Sequence, residues 1–231
     1  MNQNKSTNDN DISKLGQEAS DELFEYGYSG LVGWLQNLGH KKIIQWKNSF
    51  LGERFLEIGI GQGGHIEDAD LLSSDYIGSD LSYHNLIMYK QRYPFLELVN
   101  ADAASLPFAK NSFDNLISIY NLEHIRSLDQ CLEEINRIIV KNGTLLIALP
   151  AEGGFLYKLG RELTTKRYME KNFDIDYDSV IRESHVNDYP TLIKKLRKVF
   201  GLKKIRYLPF SFFPSYHFNA FVCIKAININ K

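Results

Sequence analysis

Short apolar runs and helical repeats alternate through the middle of the chain. Apolar runs of strand length occur at residues 55–58, 76–79, 96–99, 113–119 and 144–149. Apolar residues at helical spacing follow several of these runs, at residues 65–72, 82–93 and 128–140. Because strand and helix alternate five times, the pattern predicts an α/β fold with a doubly wound parallel sheet and helices on both faces.

The first strand runs directly into a turn rich in glycine. In the segment R-F-L-E-I-G-I-G-Q-G-G, which begins at Arg54, the glycines are Gly59, Gly61, Gly63 and Gly64. Glycine adopts positive φ and lets a ligand lie against main-chain N–H groups, with a helix N-terminus behind the turn. Three interpretations fit the segment: a GxGxxG dinucleotide site with Asp80 as its ribose carboxylate, an ExGxGxG cofactor site beginning at Glu57, and a tight turn without a ligand.

Two aspartates follow the next two strands. Asp80 ends the second strand, where its carboxylate can accept hydrogen bonds from both hydroxyls of a ribose; it could also cap the helix that follows. Asp102 follows the third strand, where it can accept an adenine amino hydrogen while the Ala103 N–H reaches a ring nitrogen; it could also cap a turn. Both positions therefore fit a nucleoside.

Composition limits the class of protein. The chain has 231 residues, 44% of them hydrophobic and 24% charged, which predicts one α/β domain over residues 21–231 after a polar tail of residues 1–20. A net charge of −1 argues against nucleic acid as a general partner. No apolar run is long enough for membrane insertion, and residues 1–20 lack the apolar centre of a secretory signal, so we expect a cytoplasmic protein.

Several motifs in a fixed order are similar to those of class I methyltransferases that use S-adenosyl-L-methionine (SAM). They are E-x-G-x-G-x-G from Glu57, G-S-D-L-S around Asp80, D-A-x-x-L-P-F from Asp102, N-L-E-H-I from Asn121 and R-x-x-x-K-N-G-T-L-L-I-x-L-P from Arg137. The resemblance covers residues 55–150. It implies a seven-stranded sheet that is mostly parallel, with an antiparallel last strand, for which residues 217–227 are suitable.

The resemblance also implies roles for individual residues. Glu57, Gly59, Gly61 and Gly63 would hold the methionine portion of SAM, and the main chain near Ile119 would face the cofactor. Asp80 with its neighbour Leu81 would bind the ribose side, and Asp102 with Ala103 the adenine. The product would be S-adenosyl-L-homocysteine (SAH). A nicotinamide dehydrogenase is the weaker interpretation, because about fifty residues precede the glycine turn and the L-P-F and F-D segments have no use there.

The N-L-E-H segment is similar to the E-x-x-E-H metal cluster of some catechol and RNA-end methyltransferases, with one departure. Tyr120 stands where that motif has its first glutamate. Glu123 and His124 alone provide too few ligands for a metal ion. We therefore expect a metal-independent enzyme.

Residues 151–190 form a long insertion after the fifth strand, and we expect them to be a lid that binds the methyl acceptor. Its basic residues could form a solvated helix face, or Arg161 and Arg167 could recognise a phosphate or carboxylate. His124 and His185 are the first and second candidates for a general base, ahead of Tyr189 and His217. A later aromatic run, at residues 207–218, could wall an acceptor pocket or pack in the core.

The sequence thus predicts a SAM-dependent methyltransferase for a small-molecule acceptor. Insertions of this aromatic and basic kind resemble those of bacterial enzymes that methylate sugars and other glycan or natural-product precursors, so we expect an oxygen of such a compound to be methylated. A quinone-like or lipid acceptor is the first alternative. A non-catalytic SAM-binding protein is the second.

Overall fold

The computed structural model describes residue 22 and residues 29–46, 52–61, 75–173 and 175–229. The predicted tail of residues 1–20, the predicted helix at residues 65–72 and Gly63 lie outside the described residues. Seven strands form one sheet: β1 Arg54–Ile58, β2 Asp75–Asp80, β3 Glu97–Asn100, β4 Phe113–Ile119, β5 Ile139–Pro150, β6 Phe200–Leu208 and β7 Phe221–Asn228.

The helices connect these strands and cover the sheet. The α-helices are α1 Gly30–Trp46, α2 Tyr83–Arg92, α3 Leu128–Ile138, α4 Phe155–Leu163, α5 Thr165–Phe173, α6 Tyr177–Ser184 and α7 Tyr189–Val199. Two short 3₁₀ turns occur at Leu122–His124 and Tyr216–Phe218. Polar side chains set several helix starts: Ser82 accepts from the Asn85 N–H at α2, and Asp188 accepts from the Thr191 N–H at α7.

The strand order is β3-β2-β1-β4-β5-β7-β6. Strands β1 to β5 pair in parallel, and β7 pairs antiparallel with both β5 and β6. Apolar side chains fill both faces: Leu132 and Leu192 belong to the core on the side of α3 and α7, and Ile43 and Tyr89 to the core on the side of α1 and α2. The predicted seven-stranded fold, with helices on both faces and an antiparallel last strand, is confirmed.

Two predicted boundaries are wrong. The helix predicted for residues 128–140 ends at Ile138, and Lys141-Asn142-Gly143 lies inside β5, where Asn142 adopts φ 64°. The strand predicted for residues 217–227 begins only at Phe221, because Tyr216–Phe218 form a 3₁₀ turn closed by Ser215. At the first place the strand starts earlier than the residue pattern favoured, and at the second a 3₁₀ turn replaces the start of the strand.

Candidate functional site

The carboxyl ends of the parallel strands meet at one edge of the sheet. Ile58 of β1 pairs with Ser79 of β2, Asp80 with Asn100 of β3, and Ile119 of β4 with Ala148 of β5. The strand order reverses between β1 and β4, and in open α/β sheets ligands bind in the crevice outside the strand ends at such a point. The predicted cofactor residues lie along this edge.

Two glycines of the turn after β1 are described, and they serve different purposes. Gly59 adopts φ 70°, and a Cβ added there would lie 2.1 Å from Cγ of Asn121, so glycine is needed for the close approach of the chain after β4. Gly61 adopts φ 55°, and a Cβ added there would meet no atom of the described residues within 4 Å. The main chain at Gly61 therefore borders open space, as a ligand cradle requires.

The Asp80 carboxylate organises this cradle. It accepts the Gly61 N–H at 2.9 Å on one oxygen and the Ser82 N–H at 2.7 Å on the other. The Asn85 side-chain amide lies 3.4 Å from the second oxygen. The alternative interpretation of Asp80 as the helix cap is wrong, since Ser82 caps α2. Asp80 instead ties the glycine turn to the end of β2.

The other predicted cofactor residues differ in exposure. Leu81 is 72% exposed beside Asp80, whereas the Ile119 side chain is buried at the end of β4. Asp102 is exposed and accepts the Ala104 N–H at 2.8 Å, so it forms the turn that the second interpretation predicted. Ala103 lies half-buried within that turn. An exposed apolar side chain and an exposed carboxylate thus lie at successive strand ends.

Glu57 lies one residue before the end of β1 and is almost completely buried. Its carboxylate accepts a hydrogen bond of 2.6 Å from the Tyr76 hydroxyl. Burial and the nearby Glu57 charge raise the pKa of Tyr76 well above its usual value, so the phenol stays protonated and donates. Glu57 therefore anchors β1 to β2 beneath the glycine turn.

Tyr120, which stands where the metal motif has its first glutamate, makes structural contacts with α1. Its hydroxyl donates to the Gln36 carbonyl oxygen at 3.0 Å, and a Cβ on Gly39 would lie 2.0 Å from that hydroxyl oxygen. Its ring packs edge-on against His40, with ring centroids 5.4 Å apart. Tyr120 thus fastens α1 to the end of β4, and the residues that the structure describes contain no cluster of three metal-ligand side chains.

The two predicted histidines lie together beyond β4 and β5. The ring centroids of His124 and His185 are 4.7 Å apart, with the rings nearly perpendicular at 89°. His124 Nδ1 lies 2.9 Å from the Ser184 carbonyl oxygen, and His185 Nδ1 lies 2.8 Å from Oε2 of Glu152. The structure therefore brings together two candidate bases that are far apart in sequence.

Burial shifts the protonation of two groups in this cluster. It raises the pKa of Glu123 to about 7, a shift that the nearby His185 opposes. Burial also lowers the pKa of His124, against the opposing effects of the Ser184 carbonyl and Glu152. The His124 side chain nevertheless keeps 43% of its surface exposed. A neutral imidazole at His124 is therefore favoured near neutral pH.

Sequence reasoning missed Glu152 and misjudged Arg161. Glu152 comes two residues after β5, near a strand end as Asp80 is. A carboxylate at such a position could have been named from sequence as a candidate site residue. Arg161 Nη1 donates to Oε1 of Glu152 at 2.8 Å, and the Arg161 side chain is only 15% exposed. Arg161 is thus not on a solvated face, so that prediction is wrong for it, and recognition of a phosphate or carboxylate stays a prediction.

The aromatic run after β6 lies largely at the surface. Phe212 is 73% exposed and Phe213 is 57% exposed, with ring centroids 4.7 Å apart. Tyr216 packs against Tyr189 of α7, with ring centroids 5.1 Å apart. Within this run, Phe212 and Phe213 are thus exposed and Tyr216 packs against a helix, whereas the sequence predicted a pocket wall or core packing for the run as a whole.

Comparison with known proteins identifies the domain. A family model described as Methyltransferase domain matches residues 56–147. Demethylmenaquinone methyltransferase of Renibacterium salmoninarum is 31% identical over 97 residues, which make up 42% of this chain. This match spans only 41% of that relative's length. The demethylmenaquinone methyltransferase of Lysinibacillus sphaericus is 26% identical over 87% of this chain and 94% of its own length.

The solved structures agree in fold. The N-methyltransferase NodS of Bradyrhizobium japonicum, solved with SAH, superposes with a TM-score of 0.66 at 14% identity, over 96% of this chain and 100% of that chain. This chain contains a methyltransferase domain over residues 56–147, and its fold is that of solved SAM-dependent methyltransferases. The open space over Gly61 beside the Asp80 carboxylate fits a nucleoside with an amino-acid tail.

No helix in the described ranges of the chain is both long enough and apolar enough to cross a membrane. The cytoplasmic location stays a prediction.

Proposed function

We propose that the chain transfers a methyl group from SAM to an oxygen of a small molecule, a sugar or a related glycan or natural-product precursor. SAM supplies an electrophilic methyl group on a positively charged sulfur. The methyl–sulfur bond breaks as the methyl–oxygen bond forms in line, so the protein mainly aligns the acceptor and receives its proton. Residues 21–231 would act as one unit, with residues 151–190 binding the acceptor.

Residues of the β1, β2 and β3 ends would hold SAM. Asp80 with Leu81 would bind the ribose side, and Asp102 with Ala103 the adenine. The turn of Glu57, Gly59, Gly61 and Gly63, with the main chain near Ile119, would receive the methionine portion. The acceptor would then lie towards β4 and β5, where His124 and His185 stand.

The observation that carries this proposal is the pair of imidazoles. A hydroxyl must lose its proton to become a good nucleophile, and an imidazole with a lone pair is the usual recipient near neutral pH. His124 lies in the 3₁₀ turn that follows β4 and His185 between α6 and α7, with ring centroids 4.7 Å apart. Such a pair suits an oxygen acceptor.

A quinone-like or lipid acceptor is the second candidate. Relatives of this chain are named demethylmenaquinone methyltransferase and phthiotriol/phenolphthiotriol dimycocerosates methyltransferase. Exposed aromatic side chains at Phe210, Phe212 and Phe213 add apolar surface after β6. A hydroquinone also gives up a hydroxyl proton, so the same imidazoles would serve it.

The test is a screen with methyl-labelled SAM in the presence of EDTA, followed by mass spectrometry. We expect SAH together with a methylated sugar or glycan precursor, and EDTA should not reduce the yield. A methylated hydroquinone would replace the first candidate by the second. SAM binding without SAH release for any sugar, hydroquinone or amine acceptor would contradict both and support a non-catalytic SAM-binding protein.

A further inference from the structure

A row of four side chains connects the insertion to the ends of the two central strands. Arg161 on α4 donates to one oxygen of Glu152, which follows β5. The other oxygen of Glu152 lies 2.8 Å from Nδ1 of His185, between α6 and α7. The His185 ring lies nearly perpendicular to the ring of His124, which follows β4, with the ring centroids 4.7 Å apart. The row therefore begins in the insertion and ends at the cofactor edge of the sheet.

The hydrogen bonds assign the proton positions on His185. Burial alone would raise the pKa of Glu152, but the hydrogen bond from His185 and the charge of Arg161 bring it below its usual value. Glu152 is therefore ionised and can only accept hydrogen bonds. Nδ1 of His185 must carry a hydrogen, which leaves the lone pair of the neutral ring on Nε2. Nε2 is the atom that can take up a proton.

The two histidines differ in the group that accepts the hydrogen of their Nδ1. His124 Nδ1 donates to the neutral carbonyl of Ser184, and burial lowers the pKa of His124. His185 donates to a carboxylate, which orients the ring and stabilises the imidazolium that forms on proton uptake. On this comparison His185 is the better proton acceptor, although the motif ranked His124 first.

Other ionisable groups surround this pair. Glu123 lies on the β4 side, fully buried, with a pKa raised to about 7 by burial. Tyr157 of α4 and Tyr177 of α6 lie within electrostatic range of Glu152, and burial raises the pKa of both phenols. Because both phenols stay neutral near pH 7, the charged group in contact with the His185 ring is Glu152, which is itself paired with Arg161.

We propose that His185 is the catalytic proton acceptor of this methyltransferase and that Glu152, held by Arg161, is its positioning residue. The inference rests on the proposed function and narrows it to acceptors with a hydroxyl group. As the methyl–sulfur bond breaks and the methyl–oxygen bond forms, the hydroxyl proton passes to Nε2 of His185. The sulfonium becomes the neutral thioether of SAH, and the positive charge moves to the imidazolium beside Glu152.

The first test is the variant Glu152→Gln, which keeps the size of the side chain and removes its charge. We expect kcat to fall at least tenfold with an unchanged Kd for SAM, and the acidic limb of the kcat–pH profile to move to lower pH. Glu152→Asp, which restores the charge, should recover part of kcat. Glu162→Gln is the matched control, because Glu162 follows Arg161 on α4 and, in the part of the chain that the structure describes, pairs with Lys166 and not with Glu152 or His185.

A second readout needs no turnover. In ¹⁵N-labelled protein, NMR should show the hydrogen of the neutral His185 ring on Nδ1, facing the Glu152 carboxylate. In Glu152→Gln the preference for this tautomer should weaken, because a glutamine side chain offers a donor as well as an acceptor. The tautomer of His124, whose Nδ1 faces the Ser184 carbonyl, should not change.

The outcomes separate this inference from the proposed function. An active enzyme whose Glu152→Gln variant keeps kcat within twofold, or whose His185 tautomer is unchanged in that variant, overturns the inference and leaves methyl transfer standing. If Glu152→Gln does not fold, Glu152→Asp and the wild-type NMR spectrum decide: a neutral His185 ring without a hydrogen on Nδ1 overturns the inference. A wild-type enzyme that releases no SAH with any hydroxyl acceptor removes both proposals.

Discussion

The proposed site has a cofactor end around Asp80 and an acceptor end around Glu152 and His185, and the two ends are held together in different ways. At the cofactor end, one carboxylate binds main-chain N–H groups: Asp80 accepts from Gly61 and Ser82, each next to a strand end. At the acceptor end, side chains bind side chains from distant segments. Glu152 and His185 are 33 positions apart, and both come from outside the regular strands.

This difference has a physical consequence. A main-chain cradle depends on the local geometry of strand, turn and helix, even though the buried Glu57 and Tyr76 lie beneath it. A side-chain cluster under an insertion takes charge out of water, so its properties depend on pH and on the fold of the insertion. The following predictions test whether the two ends behave as differently as they are built.

The largest effect is expected at the acceptor end, from Glu123→Gln. Burial raises the pKa of Glu123 to about 7, from an ordinary value of 4.5. As pH rises, Glu123 therefore loses its proton at a lower pH in the unfolded chain than in the folded chain. The free energy of unfolding falls between about pH 4.5 and about pH 7 and is constant above that range. The total loss is about 3 kcal/mol. Glutamine cannot ionise, so the variant should be more stable than the wild type at pH 8.

Urea denaturation at pH 5 and pH 8 measures this prediction. The control is Glu133→Gln on α3, where the glutamate is exposed and should leave the pH dependence unchanged. If the free energy of unfolding depends on pH in the same way in Glu123→Gln and in the wild type, then ionisation of the buried Glu123 does not cause that dependence.

The next effect is expected at the cofactor end, from Asp80→Ala. The Gly61 and Ser82 N–H groups lose their acceptor, and the ribose loses its partner, so SAM affinity should weaken by about 1–3 kcal/mol. Isothermal titration calorimetry gives the affinity. Asp75→Ala, at the exposed start of the same strand, is the control that should bind SAM as the wild type does. Unchanged binding in Asp80→Ala would remove the ribose assignment.

The smallest effect is expected from Asp102→Ala. Asp102 is exposed and accepts the Ala104 N–H, so water can replace much of what the carboxylate provides. SAM affinity should weaken by about 1 kcal/mol or less, with little change in the free energy of unfolding. The same calorimetry measures it. A loss larger than that in Asp80→Ala would reverse the order of the two carboxylates.

The fold and the cofactor end could largely be predicted from sequence. Alternating apolar runs gave the strands, and the glycine turn with Asp80 gave the cradle, because these signals lie within a few residues of one another. Where prediction went wrong, the error was local. Asn142 turns the chain inside β5 and not at a helix end, and Gly59 is glycine because Asn121 approaches it.

The acceptor end could be predicted only in part. His124 and His185 were named as separate candidates, but no sequence pattern indicated that Glu152 would hold one of them. Arg161 was given two alternatives, a solvated helix face or recognition of a phosphate or carboxylate, because an unpaired arginine and an ion-paired one look the same in sequence. These contacts depend on how three helices of the insertion fold back over two strand ends, and nearest-neighbour patterns do not encode that.

The position of β7 has a consequence for biosynthesis. It follows every other strand along the chain, yet it lies between β5 and β6 in the sheet. While the ribosome adds residues 200–208, the strand that will pair with them has not yet been made. Until residues 221–228 emerge, the outer edge of β5 keeps unpaired N–H and C=O groups, a hazard for aggregation that a nascent-chain chaperone would relieve.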